Sequence, residues 1–155
     1  MFEILMFLFE NYMDGSNALK IDNETLSVEL ERIGFDKYEI NRALYWLDGL
    51  VQFQNSVLDT NTVATHTIRH YIPEEAELLG VEGQGLLIYL EQIGILDSYS
   101  REIVIDRIMA LDYRDVDIGR IKWVVLMVLF SDPEKKTALT LMQDMVLSDA
   151  FDVIH

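Results

Sequence analysis

Ile118-Gly119-Arg120-Ile121-Lys122-Trp123-Val124-Val125-Leu126-Met127-Val128-Leu129-Phe130 is the stretch whose reading decides the fold. Arg120 and Lys122 are its only charged residues, and from Trp123 onward every side chain is apolar. A helix that is apolar on nearly every side must be buried all round. Its 13 residues fall short of the roughly 20 needed to cross a bilayer. The stretch is therefore predicted to be a central core helix, and the rest of the chain must supply its partners.

The flanks agree with that reading. Asp117 stands where an N-cap belongs, and Ser131, Asp132 and Pro133 end the run before a last helix with Ala138, Leu141, Met142, Met145 and Val146 facing inward. Upstream, SREIVIDRIMALD places Ile103, Val104, Arg107 and Ile108 on one helical face, with Ser98 or Ser100 expected as its cap. Before it, GLLIYLEQIGIL puts Leu86, Leu87, Leu90 and Ile93 inward, and Gly94 ends that helix. Pro73 suits the first turn of a short helix over Pro73–Leu79. Gly80, Gly83 and Gly85 then mark the strongest internal hinge, which divides the chain into 1–79 and 80–155, two parts expected to pack as one folding unit.

The first part opens with FEILMFLFENYM, an amphipathic helix. With Glu3 and Glu10, no basic n-region and no small-residue cleavage pattern, it is not expected to be a secretion signal. Leu26, Val28, Leu30 and Ile33 mark a second helix that Gly34 ends. Asp36 and Glu39 then open a third, Lys37 to Leu50, with Ile40, Ala43, Leu44, Leu47 and Leu50 on one stripe beside Trp46. Two helices joined across a glycine turn have the layout of a helix-turn-helix. Val51–Phe53 and Thr67–Ile72 alternate as strands do, which predicts a wing. The fold class expected is mainly α, a helical bundle with a small winged-helix-like N-terminal subdomain.

Composition bounds the chemistry. The absence of cysteine removes disulfides, thiolate metal sites and a cysteine nucleophile, and it fits a cytoplasmic location. Against 12 basic residues stand 27 acidic ones, a formal net charge of -15. Such a field repels phosphate backbones and favours a basic protein partner.

Candidate chemical motifs fail on inspection. His66 and His70 lie near Glu74 and Glu75 but match no metal-ligand pattern. Counted as a calcium loop from Asp112, the sixth position is Asp117 instead of glycine and the twelfth is Trp123 instead of glutamate. The glycines around Gly83 match neither phosphate-binding pattern, and no serine sits in a nucleophile elbow. No catalytic, cofactor-binding or metal-binding residue is expected, and no cofactor; an enzyme is the less favoured reading.

What remains is a surface. The outward residues of the third helix, Lys37, Tyr38, Asn41, Arg42 and Tyr45, form the candidate partner-binding face, since Tyr and Arg are common interface anchors. The alternatives are direct DNA or RNA binding through the helix-turn-helix, and mimicry of nucleic acid by the acidic surface. A membrane is not expected as a partner.

The segments MFEILMFLFENYM, GFDKYEINRALYWLDGL, IRHYIPEEAELL, GLLIYLEQIGILDSYSREIVIDRIMALD and IKWVVLMVLF, in this order, resemble the bacterial Smg protein family along essentially the whole chain. Trp46, Arg69, Pro73, Glu74, Glu75, Gly85, Glu91, Gln92, Arg101, Glu102, Arg107 and Trp123 carry the likeness. The resemblance implies a cytoplasmic bacterial protein with a link to DNA-related processes, and it brings no catalytic residues onto this chain. Among the carriers, Arg107 faces inward by spacing, with Glu91 or Glu102 as its expected partner.

Overall fold

A computed structural model describes residues 2–12, 23–59, 72–111, 116–131 and 135–154. Seven helices run through them: α1 (Phe2–Tyr12), α2 (Asn23–Ile33), α3 (Lys37–Asp59), α4 (Pro73–Gln92), α5 (Ser98–Met109), α6 (Ile118–Phe130) and α7 (Lys136–Ile154). The described residues contain no strand.

The apolar stretch is α6, and it is the centre of the bundle. Every side chain from Val124 to Phe130 is buried, because α4, α5 and α7 all pack against it. Asp117 caps it as expected, its carboxylate accepting from the Arg120 N–H at 2.8 Å. The two charges stay at the N-terminal end, where Lys122 is half-buried and desolvation pushes its ammonium pKa down. Phe9 of α1 reaches the same helix, meeting Trp123 and Phe130 edge to face at centroid distances of 5.6 and 5.3 Å. Buried residues of α1 to α7 thus belong to one apolar cluster.

Helix α2 buries only Leu26 and Leu30, while Val28 and Ile33 remain outside. Gly34 ends it at φ 117°, and the Phe35 N–H donates to the Leu30 carbonyl, a turn that brings Phe35 edge-on to Phe7 at 5.8 Å. Three residues separate α2 from α3, so the short glycine-containing turn expected between them is present. The wing is not. Val51, Gln52 and Phe53 continue α3 as helix, so the strand expected there is a correction; of the second expected strand, residues 67–71 lie outside the described residues and Ile72 is extended before α4. A winged helix needs a β-wing, and the described residues supply none.

Pro73 opens α4 as predicted, and the helix is interrupted at Gly80, whose φ of 67° and ψ of 175° lie in a region essentially confined to glycine. Helix resumes at once, four residues before Gly85. The Gln84 amide spans the break, donating to the Ala76 carbonyl at 3.3 Å. Gly83 faces α6 so closely that a Cβ would stand 2.8 Å from Ile121 Cδ1. The glycine cluster is therefore one bend and one close approach inside a single element.

Gly94 exits α4 at φ 84° and turns Ile95 and Leu96 into the core. The cap of α5 is Asp97, whereas sequence spacing points to Ser98 or Ser100. Asp97 accepts from the Ser100 N–H at 2.7 Å while Ser100 Oγ accepts from the Asp97 N–H at 2.9 Å, a reciprocal capping box. Burial alone would raise the Asp97 pKa, but Lys135 and the Ser100 hydrogen bonds outweigh it and hold the carboxyl below its ordinary value.

Candidate functional site

A cleft of about 550 Å³ opens between α3 and α5. Its long wall belongs to α3, through Arg42, Tyr45, Trp46, Gly49 and Phe53, with Asp48 and Gln52 exposed along the edge. Asp106, Arg107 and Ala110 of α5 close the other side. These α3 residues fall on one side of the helix because they recur at three- and four-residue spacing, and Gln52 and Phe53 join them because the helix runs beyond Leu50.

The floor is a reciprocal clasp. Trp46 Nε1 donates to the Arg107 carbonyl at 2.9 Å, and Arg107 Nη1 donates to the Trp46 carbonyl at 2.9 Å. The guanidinium carbon lies 5.6 Å from the centroid of the indole ring. Arg107 also gives Nε–H and Nη2–H to one oxygen of Asp106, Oδ2, at 3.0 and 2.7 Å. Its partners are thus Asp106 and Trp46, where spacing suggested Glu91 or Glu102. Those two carboxylates bind Arg101 instead, at 2.9 and 3.2 Å.

Gly49 makes the clasp sterically feasible. A Cβ there would overlap Arg107 Nη1 and stand 2.9 Å from its Cζ. Gly49→Ala is therefore expected to destabilise by about 1 kcal/mol net, as overpacking of roughly 1–3 kcal/mol exceeds the gain of about 1 kcal/mol in helix propensity. In an Arg107→Ala background the clash is gone, and the same change is expected to stabilise by about 1 kcal/mol. Urea midpoints of the four proteins read the sign reversal directly. An equal effect in both backgrounds would remove the close contact from the explanation.

Of the five residues expected at a partner face, the structure brings Arg42 and Tyr45 to the cleft and leaves Lys37, Tyr38 and Asn41 outside its lining, toward the start of α3. Tyr45 is 82% exposed and Tyr38 66%. Arg42 lies 5.8 Å from the Tyr38 ring centroid and 3.6 Å from the Glu39 carboxylate, so its charge is already shared. Asp106, Ala110, Gln52 and Phe53 are lining residues that the sequence reading missed. The last two were assigned to a strand, and the α5 pair shows no linear signal.

Among the described residues no group of three or more His, Asp or Glu side chains is placed to hold a metal ion. His66, His70, Asp112 and Asp115 lie outside the described residues. No helix of the described residues is long and apolar enough to cross a membrane.

The whole chain, residues 1–155, matches a family model described as "Protein of unknown function (DUF494)". It is 42% identical over 153 residues to the Protein Smg homolog of Nitrosococcus oceani, covering 99% of this chain and 96% of that protein. The Smg homolog of Alkalilimnicola ehrlichii is also 42% identical, over 99% of this chain and 97% of its own. That of Aeromonas salmonicida is 39% identical over the full length of both. No solved structure matches the chain.

Proposed function

The chain belongs to the bacterial Smg family, and from that premise we propose that it acts in the cytoplasm as a non-catalytic protein-binding module. Its contact face is the exposed side of α3 and the cleft beside it. The observation that carries this reading is the pair of large aromatic side chains left in solvent, Tyr38 and Tyr45, the second at the mouth of a cleft with an ordered floor. Tyrosine, with an apolar ring and a polar hydroxyl, is among the residues that most often anchor protein interfaces.

The α2–α3 layout supports a second reading, direct nucleic-acid binding. Against it stands charge, since α3 offers Lys37 and Arg42 beside Glu39 and Asp48 in a chain of net charge -15. Protein contact is therefore preferred. The test compares the intact protein with Tyr45→Ala in co-purification from native cells at modest salt. Tyr45 is exposed, so its loss is expected to alter stability by less than about 0.5 kcal/mol. A specific partner retained by the parent and lost with Tyr45→Ala is the expected result. Retention unchanged by the substitution overturns the α3 face.

A further inference from the structure

We infer that the α3–α5 cleft receives an arginine side chain from a basic segment of the partner. This deepens the protein-binding reading and rests on it. Counting the polar groups of the cleft leads to the ligand. Both of its cations are engaged: Arg107 is hydrogen-bonded to Trp46 and Asp106, and Arg42 is shared between Glu39 and the Tyr38 ring. Its anions have capacity left. Asp48 is exposed and makes no hydrogen bond or ion pair among the described residues. Asp106 uses Oδ2 for Arg107, and its Oδ1 accepts nothing among the described residues. Two arginines and two aspartates line the space, so its formal charge balances, and the hydrogen-bonding capacity left unused is that of carboxylate oxygens, chiefly those of Asp48.

The apolar part of the lining selects among cations. Tyr45, 82% exposed, and the half-buried Phe53 supply the accessible aromatic surface, the Trp46 indole being buried under Arg107. A guanidinium is planar, weakly hydrated and stacks on aromatic rings, whereas an ammonium holds its water more tightly and has no flat face. Arginine is thus preferred over lysine. The volume, about 550 Å³, lies within the roughly 300–1,000 Å³ typical of ligand sites, which admits the side chain with some flanking backbone. The net charge of -15 steers a basic segment toward this protein from any direction. The cleft then supplies what a diffuse acidic field lacks, a fixed position for one side chain.

The test uses the full chain and a short blocked peptide of glycine and alanine carrying arginine, followed by amide chemical shifts. The expected result is a saturable response confined to residues 45–53 and 106–110. Asp48→Asn should weaken it about fivefold, the upper range for an exposed ion pair. The lysine peptide should bind several-fold more weakly, and the glutamate peptide should give no response. A glutamate peptide that binds as well as the arginine peptide overturns the inference. So does a response scattered over the acidic surface and indifferent to Asp48→Asn. A partner whose co-purification depends on Tyr45, together with no arginine-peptide response, removes the anchor and leaves the docking face standing; absence of both removes both.

Discussion

Trp46→Ala is expected to destabilise the protein by about 3–5 kcal/mol, the range for removing a large aromatic from a packed interior. The indole is 2% exposed and belongs to the apolar cluster shared by all seven helices. Truncation removes that volume together with the hydrogen bond from Nε1 to the Arg107 carbonyl and the surface against which the guanidinium lies. For a chain of this size, about 2–4 °C of melting temperature is lost per kcal/mol, so a shift near 10 °C is expected. Trp46→Phe separates the contributions: it keeps most of the ring but loses the hydrogen bond, and should cost about 1–2 kcal/mol. Thermal and urea melts of both variants provide the measurement. A cost below about 1 kcal/mol for alanine would mean that Trp46 does not tie α3 to α5.

Gly49 explains both why this site is hard to see in the sequence and where the fold reading went astray. In a linear reading a glycine four residues before Phe53 weakens the helix, and Val51 and Phe53 flank Gln52 with strand-like alternation. A helix ending at Leu50 followed by a strand is then the natural assignment. Tertiary packing reverses it. The missing Cβ admits the guanidinium of Arg107, from a residue 58 positions away, and α3 continues to Asp59. A helical pattern cannot display a contact whose reason lies on another helix.

The parts that were legible have local causes. Asp117 and Gly34 act through their own backbone neighbours, and α6 is apolar on all sides, so its burial follows without knowing its partners. The face of α3 was legible to the same extent: Arg42 and Tyr45 could be named as outward, but not as one wall of a cleft. Pairings between charges were the least legible. Arg101 and Arg107 are six residues apart on α5, and only the packing of α4 and α3 on either side determines that one meets Glu91 and the other Trp46.

Arg101 carries the second large effect. Its side chain is 9% exposed, and Nη1 binds both oxygens of Glu91 at 2.9 and 3.0 Å while Nη2 donates to Glu102 at 3.2 Å. Its buried Nε has no hydrogen-bond partner, so even this pair is incompletely satisfied. The position suits a cation, because Glu91 lies in the last turn of α4, near the negative end of the helix dipole. Replacing Arg101 by methionine keeps much of the packing but leaves Glu91 and Glu102 without their countercharge. Breaking a fully buried pair costs roughly 3–5 kcal/mol; here the carboxylates are 29% and 39% exposed, and water reduces the expected cost to about 2–3 kcal/mol. Glu91→Gln added to Arg101→Met removes the unpaired charge and should recover about half of the loss. A thermodynamic cycle built from the single and double variants at fixed pH and salt measures the coupling. A single-variant cost below about 1 kcal/mol, or no recovery with Glu91→Gln, would show that α4 and α5 are joined by their apolar contacts alone and that the ion pair contributes nothing to their union.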